Sequence, residues 1–212
     1  MRLVTLLAVL LFAGLVTFAS AQDKAEVVYA SPKAVFEAAL EAEKKGDYKT
    51  FMSLYDPKSR NLTTGRLVAT SARFKLFMAS KEGAKFEAKA PELDKLLTKY
   101  GIGREAIAKA APGGKPGKMP NEKTLIELGK VVKDQGAFAN EIIPFMEGLG
   151  SSKKEDSGGE LKDLEIKGDK ATGSKVKQVD GKEVREPIEF VKVGRSWRLV
   201  AEKSGKTPKD KK

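Results

Sequence analysis

The sequence contains no cysteine and no histidine among its 212 residues. Without cysteine the chain has no disulfide framework, no thiolate nucleophile and no cysteine zinc site. Without histidine it has no Ser-His-Asp triad, no imidazole general base and no histidine zinc motif. Any chemistry would therefore depend on carboxylates, lysine, tyrosine, serine or arginine, and the fold must be stabilised by packing rather than by covalent links.

The first 21 residues have the pattern of a cleaved signal peptide. Arg2 precedes a largely apolar run over residues 3–18, and Ala19-Ser20-Ala21 supplies the small residues that signal peptidase requires. The run is 16 residues long, whereas a membrane-spanning helix needs about 20. We therefore expect export to the periplasm or the medium, with no membrane span after cleavage. An uncleaved N-terminal anchor is the alternative.

Basic residues outnumber acidic residues by 40 to 29, which gives a formal net charge of +11. One positive charge belongs to the signal segment, and four belong to residues 203–212, which we interpret as a disordered basic tail. The remaining six are spread over the predicted domain. An excess of this size favours solubility, and specific nucleic-acid binding is not expected.

Helix signals dominate the first half of the predicted domain. Ser31-Pro32 is a typical start for a first helix, and Asp47 is expected to cap a second that ends at Asp56-Pro57. A third helix is predicted from about Thr64 to Ser80. Residues 91–150 then form a broken helical stretch.

A loop, a proline and a linker are expected to interrupt or end the helical stretch over residues 91–150. Residues 112–120 have the composition of a loop, and Asn121 is expected to cap the helix that follows it. Pro144 is expected to kink or end the last helix. Residues 148–159 are polar and rich in glycine and serine, and they are interpreted as a linker.

From Leu161 the hydrophobic period changes from helical to two-residue, which predicts strands. Asp180-Gly181 is the strongest hairpin signal, and Pro187 indicates an edge strand or a bulge. Helices followed by a strand meander predict an α+β fold, with N-terminal helices packed on an antiparallel sheet. The predicted strands cover residues 164–167, 171–179, 184–193 and 197–200.

Both ends of the domain resemble nuclear-transport-factor-two-like domains, whose cone fold is shared with ketosteroid isomerase and scytalone dehydratase. The matching segments are residues 31–36, 46–51, 54–57, 166–171, 190–193 and 197–199. The resemblance implies one cone-like domain over residues 22–202, with a curved antiparallel sheet and a helical insertion at about 91–150. The similarity is greatest to exported, uncharacterised bacterial members.

A cone fold implies a cavity between helices and curved sheet. Residues on the helical stripes and on the last strand would line it, and Arg73 lies beside the apolar stripe of the third helix. The family's usual histidine or paired aspartate positions have no counterpart, so no catalytic residue is expected. The sequence has no EF-hand spacing and no dinucleotide-binding motif, so no metal ligand or cofactor is expected either. Helical spacing also suits simple core packing of the aromatic residues, and this alternative stays open. The candidate ligand-binding residues are Phe36, Tyr48, Phe51, Tyr55, Arg73 and Trp197.

The leading functional hypothesis is a non-enzymatic exported domain that binds a small ligand or another protein. The first alternative is a lyase or isomerase that pairs Tyr48 or Tyr55 with Asp47 or Asp56 in the cavity. The simpler interpretation makes these aspartates a helix cap and a turn residue. The second alternative is electrostatic binding of an anionic polymer by residues 58–81, which contain six basic residues and no acid.

Overall fold

A computed structural model describes residues 27–110, 119–150, 158–179 and 181–201. The predicted signal peptide, the basic tail and most of the predicted loop and linker lie outside the described residues. Within the described part, seven α-helices precede a four-stranded curved antiparallel sheet, so the α+β class is confirmed. No helix in this part is both long and apolar enough to cross a membrane.

Most of the helices begin at a side chain that accepts a backbone hydrogen bond from the first turn. Ser31, Asp47, Asp56, Asn121 and Asp134 all act in this way, as N-cap residues commonly do. The helices are α1 Pro32–Lys45, α2 Tyr48–Ser53, α3 Pro57–Met78, α4 Ala90–Lys99, α5 Arg104–Ala110, α6 Glu122–Lys130 and α7 Gln135–Gly148, with a 3-10 helix at Ala84–Lys89.

One helix boundary differs from the sequence prediction, and a second helix is not ended by its proline. Helix α3 begins at Pro57 rather than near Thr64, because Asp56 caps it and proline suits the first helical position, where an N–H has no intrahelical partner. Helix α7 continues past Pro144 to its end. Phe138 and Ile142 of α7 are fully buried. This packing offsets the loss of the backbone hydrogen bond that Pro144, which has no N–H, cannot donate.

The four strands form an antiparallel meander in the order β1-β2-β3-β4, as predicted. Strand β3 is an inner strand in this order, so Pro187 does not mark an edge strand as predicted. Pro187 nevertheless pairs with β2 at a point beyond the end of β4, whose pairing with β3 starts at Glu189, and its outer side has no partner strand among the described residues. Strand β1 contains a bulge near Asp163, whose φ is 53°, and the sequence pattern did not reveal it. The strands are β1 Glu160–Lys167, β2 Lys170–Val179, β3 Lys182–Val193 and β4 Ser196–Val200.

The buried apolar side chains form two clusters. The sheet cluster lies where α1 and the end of α2 pack on the sheet, and the helical cluster lies among α3 to α7. Tyr55 packs against both clusters. The sheet cluster contains Val35, Phe36, Ala39, Leu54, Ala171, Phe190, Trp197 and Leu199. The largest members of the helical cluster include Leu93, Leu97, Ile102, Leu125, Phe138 and Ile142.

The junction between α2 and α3 is joined to β4 by backbone hydrogen bonds. The N–H of Leu199 donates to the carbonyl of Leu54 at 2.9 Å, and the N–H of Asp56 donates to the carbonyl of Leu199 at 3.0 Å. Tyr55 therefore forms a parallel bridge with Leu199. In the same strand, the N–H of Trp197 donates to the carbonyl of Tyr29, which precedes α1, at 2.9 Å.

Helices α3 and α6 approach each other closely at two glycines. A Cβ atom on Gly65 would lie 1.8 Å from the carbonyl oxygen of Leu125, and one on Gly129 would lie 1.9 Å from that of Asn61. The side-chain amide of Gln135 donates to both Asn61 and the carbonyl of Gly129, at 2.7 and 2.8 Å. Only glycine leaves room for this contact between the two backbones.

The first prediction concerns this helix crossing. Replacing Gly129 with alanine should lower the free energy of unfolding by roughly 2–3 kcal/mol, because the added methyl group forces α3 and α6 apart. Denaturant unfolding followed by circular dichroism measures the change. Gly148→Ala is the matched control, because no atom lies within 4 Å of a Cβ at that helical position. Equal stability of the two variants would contradict the prediction.

Candidate ligand-binding site

A cavity of about 500 Å³ lies between α1, the end of α2 and one corner of the sheet. Its volume is in the range typical of sites for small organic molecules. No described lining residue belongs to α3–α7, so the described helical stretch does not fill the cavity. The lining residues are Phe36, Ala39, Leu40, Glu43, Phe51, Tyr55, Lys175, Glu186, Pro187, Ile188, Glu189, Leu199 and Val200.

Helix α1 provides one wall of the cavity. Phe36, Ala39, Leu40 and Glu43 occupy positions i, i+3, i+4 and i+7, which places them on one face of the helix. Phe36 and Ala39 are buried, whereas Leu40 and Glu43 are only partly buried. The helix therefore passes from the packed core to the rim of the cavity along a single stripe of side chains.

Three of the six candidate binding residues meet at this cavity. Phe36, Phe51 and Tyr55 all line it, although they come from α1, α2 and the segment after α2. The rings of Phe51 and Tyr55 pack edge to face, with centroids 5.5 Å apart and planes at 81°. The cavity thus has an aromatic wall made from both N-terminal helical segments.

The other three candidates lie elsewhere. The hydroxyl of Tyr48 donates to a carboxylate oxygen of Glu147 at 3.0 Å, which ties α2 to α7. Trp197 is buried in the sheet cluster and does not appear in the described lining. Arg73 lies on α3, and its Nε atom is buried without a hydrogen-bond partner among the described residues.

Tyr55 contributes a phenol whose ionisation is strongly disfavoured. Burial raises its pKa to about 12, and the negative charge of Glu43 acts in the same direction, while the charge of Arg66 opposes it. The hydroxyl is therefore protonated at neutral pH. In this state it is able to donate a hydrogen bond to a bound molecule.

Charged side chains frame the apolar part of the cavity. Glu43 from α1 lies 3.4 Å from Lys175 of β2, measured between carboxylate oxygen and ammonium nitrogen. Glu186 from β3 lies 2.8 Å from Lys177. Glu189 also lines the cavity, so the lining has three carboxylates and a single lysine. This negative balance contrasts with the net charge of +11 of the whole chain.

The charged lining residues were not among the candidate residues that the sequence indicated. Glu43 follows Leu40 by three positions on the stripe that carries Phe36, so the helical period of α1 contained a signal for it. Lys175 and Glu186 gave no comparable signal. They face each other across β2 and β3, and this pairing depends on the strand register.

The two aspartates of the enzyme hypothesis act as helix caps. Asp47 accepts a hydrogen bond from the backbone N–H of Thr50 at 3.0 Å, and Asp56 accepts from those of Lys58 and Ser59. Hydrogen bonds from the side chain and backbone of Thr50 hold the pKa of Asp47 below its ordinary value, whereas a general acid needs a raised pKa. Neither aspartate is in the described cavity lining.

The basic run over residues 58–81 is partly neutralised in space. Lys58 lies 2.9 Å from Glu122 of α6, and Lys75 lies 2.5 Å from Asp94 of α4, measured between nitrogen and carboxylate oxygen. The acids thus come from later helices, although the run contains none of its own. Within the described chain, no group of three or more acidic residues is arranged to hold a metal ion.

Comparisons with known proteins give no match: no protein-family model, curated protein or solved structure is significantly similar to this chain. The resemblance to nuclear-transport-factor-two-like domains therefore stays a prediction. The basis for a functional proposal is the cavity and the residues around it.

The second prediction concerns the phenol of Tyr55. In the folded chain it should ionise only near pH 12, whereas a tyrosine in an unfolded chain ionises near about pH 10. Because the folded-state pKa is the higher one, the neutral phenol stabilises the fold fully below pH 10, and this contribution disappears as the pH rises toward 12. Ultraviolet absorbance of phenolate measures the titration.

Tyr55→Phe should remove an ionisation step close to pH 12 from the native titration curve. Tyr48→Phe is a matched comparison, because burial and the carboxylate of Glu147 raise the pKa of Tyr48 to about 12 as well. Loss of a step near the unfolded value of about 10 in the Tyr55 variant would contradict the burial of this phenol.

Proposed function

We propose that this chain is an exported, non-enzymatic domain that binds a small, largely apolar ligand between α1 and the sheet. The observation that carries the proposal is the cavity of about 500 Å³. Its lining is mostly aliphatic and aromatic, with a few polar groups at defined positions, which is the composition of small-molecule sites in general.

The dense packing next to the cavity supports a functional role for the open space. Protein interiors are normally filled to the density of organic crystals, and the adjoining sheet cluster is well packed, with Val35, Leu54 and Phe190 almost completely buried. Ala39 nevertheless presents only a methyl group to the cavity. A larger side chain at this position would fill part of the space that the sequence leaves open.

Binding without catalysis agrees with the residues that are present. The chain has no histidine, and Asp47 and Asp56 serve the helix termini instead of the described cavity lining. The polar groups of the cavity are the Tyr55 hydroxyl and ion-paired side chains such as Glu43 and Lys175. These groups orient and select a ligand in the proposed role.

The proposal includes export and membership of the nuclear-transport-factor-two-like family. The signal pattern of residues 1–21 supports export. Helices that precede a curved antiparallel sheet support the family. The two Gly-Asp steps of the resemblance also lie at turns, since Gly46 and Gly168 have φ values of 68° and 61°, in the left-handed region that glycine readily adopts.

The third prediction tests the cavity with N-phenyl-1-naphthylamine, a neutral apolar dye that fluoresces more strongly in apolar surroundings. It should bind the mature chain saturably at one site, with a dissociation constant in roughly the 10–100 µM range expected for a ligand of its size. Replacing Leu40 and Ile188 together with tryptophan narrows the cavity from two walls. This double variant should bind at least roughly tenfold more weakly, a loss of about 1.4 kcal/mol.

The matched control replaces Leu164 and Ile166 of β1 with tryptophan, because their side chains are already exposed and lie outside the described lining. It should bind the dye like the parent chain. Circular dichroism establishes that all variants are folded. Absence of saturable binding to the parent, or equal loss in both double variants, would contradict the proposed site.

The fourth prediction concerns export. When the whole chain is expressed in a bacterium, the mature protein should begin at Gln22 and be recovered outside the cytoplasm. N-terminal sequencing and mass spectrometry identify the first residue. Ala21→Arg should block cleavage, because signal peptidase requires a small residue there, whereas Ala8→Leu within the apolar run should leave cleavage unchanged. A membrane-bound chain that keeps its leader would instead support the uncleaved anchor.

A further inference from the structure

We infer that the ligand of this cavity carries a positively charged ammonium group, and that the site selects it over neutral and anionic molecules of similar size. This inference rests on the proposed ligand-binding function. It is drawn from the combination of an aromatic wall with a net negative lining, which the structure brings together from α1, the α2–α3 junction and the sheet.

The aromatic wall is suited to a cation. The faces of aromatic rings attract ammonium groups, and aromatic cages are a common means of recognising methylated ammonium ions. Phe36, Phe51 and Tyr55 all line the cavity, and the rings of the last two are nearly perpendicular, at 81°. Two perpendicular rings form a corner whose sides are aromatic surfaces.

A carboxylate lies close to this aromatic corner. Glu43 lines the same cavity as Phe51 and Tyr55. Its negative charge raises the pKa of the Tyr55 phenol, while the positive charge of Arg66 lowers it. Glu43 is only partly buried, and it lies 3.4 Å from Lys175. This separation is longer than the roughly 2.7–2.9 Å of a strong charged hydrogen bond, which leaves the carboxylate able to accept from a ligand.

The opposite wall adds further negative charge. Glu186 lies 2.8 Å from Lys177, which offsets its charge. Glu189 has no ion-pair partner among the described residues. Among the described lining residues, three carboxylates therefore face the single ammonium group of Lys175, and a bound cation would reduce this negative excess. An anion would add to the excess.

The remaining lining defines the rest of the ligand. Leu40, Ile188 and Leu199 supply aliphatic surface. An alkyl chain on the ammonium group would bury apolar area there, at roughly 25 cal/mol per Å² removed from water. The ligand class is therefore an organic ammonium ion with an apolar body, which is small enough for a cavity of about 500 Å³.

The experiment compares three probes of similar apolar size: hexyltrimethylammonium, octan-1-ol and octanoate. Isothermal titration calorimetry with the mature chain measures each dissociation constant. We expect the cation to bind at least tenfold more tightly than the alcohol, and octanoate to bind most weakly. The alcohol is the internal standard, because it requires only the apolar cavity of the proposed function.

Two variants identify the residues responsible. Glu43→Gln should weaken binding of the cation about tenfold and leave the alcohol within about twofold, and it should strengthen octanoate, because Lys175 loses its partner. Glu41→Gln is the matched control, because it removes the same charge from an exposed position on the same helix. Phe51→Leu should weaken the cation more than the alcohol, since it keeps an apolar side chain but removes the aromatic ring.

The outcomes separate this inference from the proposed function. Tight cation binding that depends on Glu43 but not on Glu41 supports both. If the alcohol binds as tightly as the cation, or octanoate binds most tightly, the ammonium inference is overturned while the apolar site stands. If none of the three probes binds, both are overturned. Should Glu43→Gln fail to fold, Glu186→Gln from the opposite wall provides the same comparison.

Discussion

Backbone pairing between residues 54–56 and β4 is the constraint on which the rest of the architecture depends. Two hydrogen bonds to Leu199 hold the point where α2 ends and α3 begins against the sheet. The guanidinium of Arg198 donates to the carbonyl of Ser53 at 3.0 Å, which satisfies one of the free carbonyls at the end of α2. The direction of the long helix α3, and hence the position of the helices packed on it, follows from this attachment.

The same attachment explains why the cavity survives beside a large helical stretch. Because α3 starts at the edge of β4, the helical cluster assembles on one side of the junction and the sheet cluster on the other. Tyr55 contacts both clusters and also faces the cavity. Its ring is thus a fixed wall, and changes in the packing of the helical cluster would reach the cavity through this residue.

Much of the fold followed from local signals in the sequence. The caps at Ser31 and Asn121 and the two-residue period after Leu161 each depend on neighbouring residues alone, and the structure agrees with them. Helix boundaries that depend on tertiary packing were harder to predict from the sequence. Helix α7 continues past Pro144 because Phe138, Ile142 and Met146 of the same helix are buried, and this burial depends on contacts with other helices.

For the same reason, only part of the cavity lining could be predicted from the sequence. Phe36, Phe51 and Tyr55 belong to helical segments whose period indicates a common face, and they do meet. Lys175 and Glu186 reach the cavity through strand register, which is set by pairing between distant parts of the chain. The close passage of α3 and α6 at Gly65 and Gly129 is likewise a contact between helices far apart in sequence.

The short length of β4 has a consequence for the behaviour of the protein in concentrated solution. Residues 182–188 of β3 extend beyond its end, and no described residue pairs with their outer edge. Exposed strand edges are templates for aggregation. Pro187 lacks an N–H to offer a neighbouring strand, and Glu183 and Arg185 place opposite charges along the same stretch. This edge, which carries Glu186, Pro187 and Ile188 of the cavity lining, therefore resists addition of a strand from another molecule.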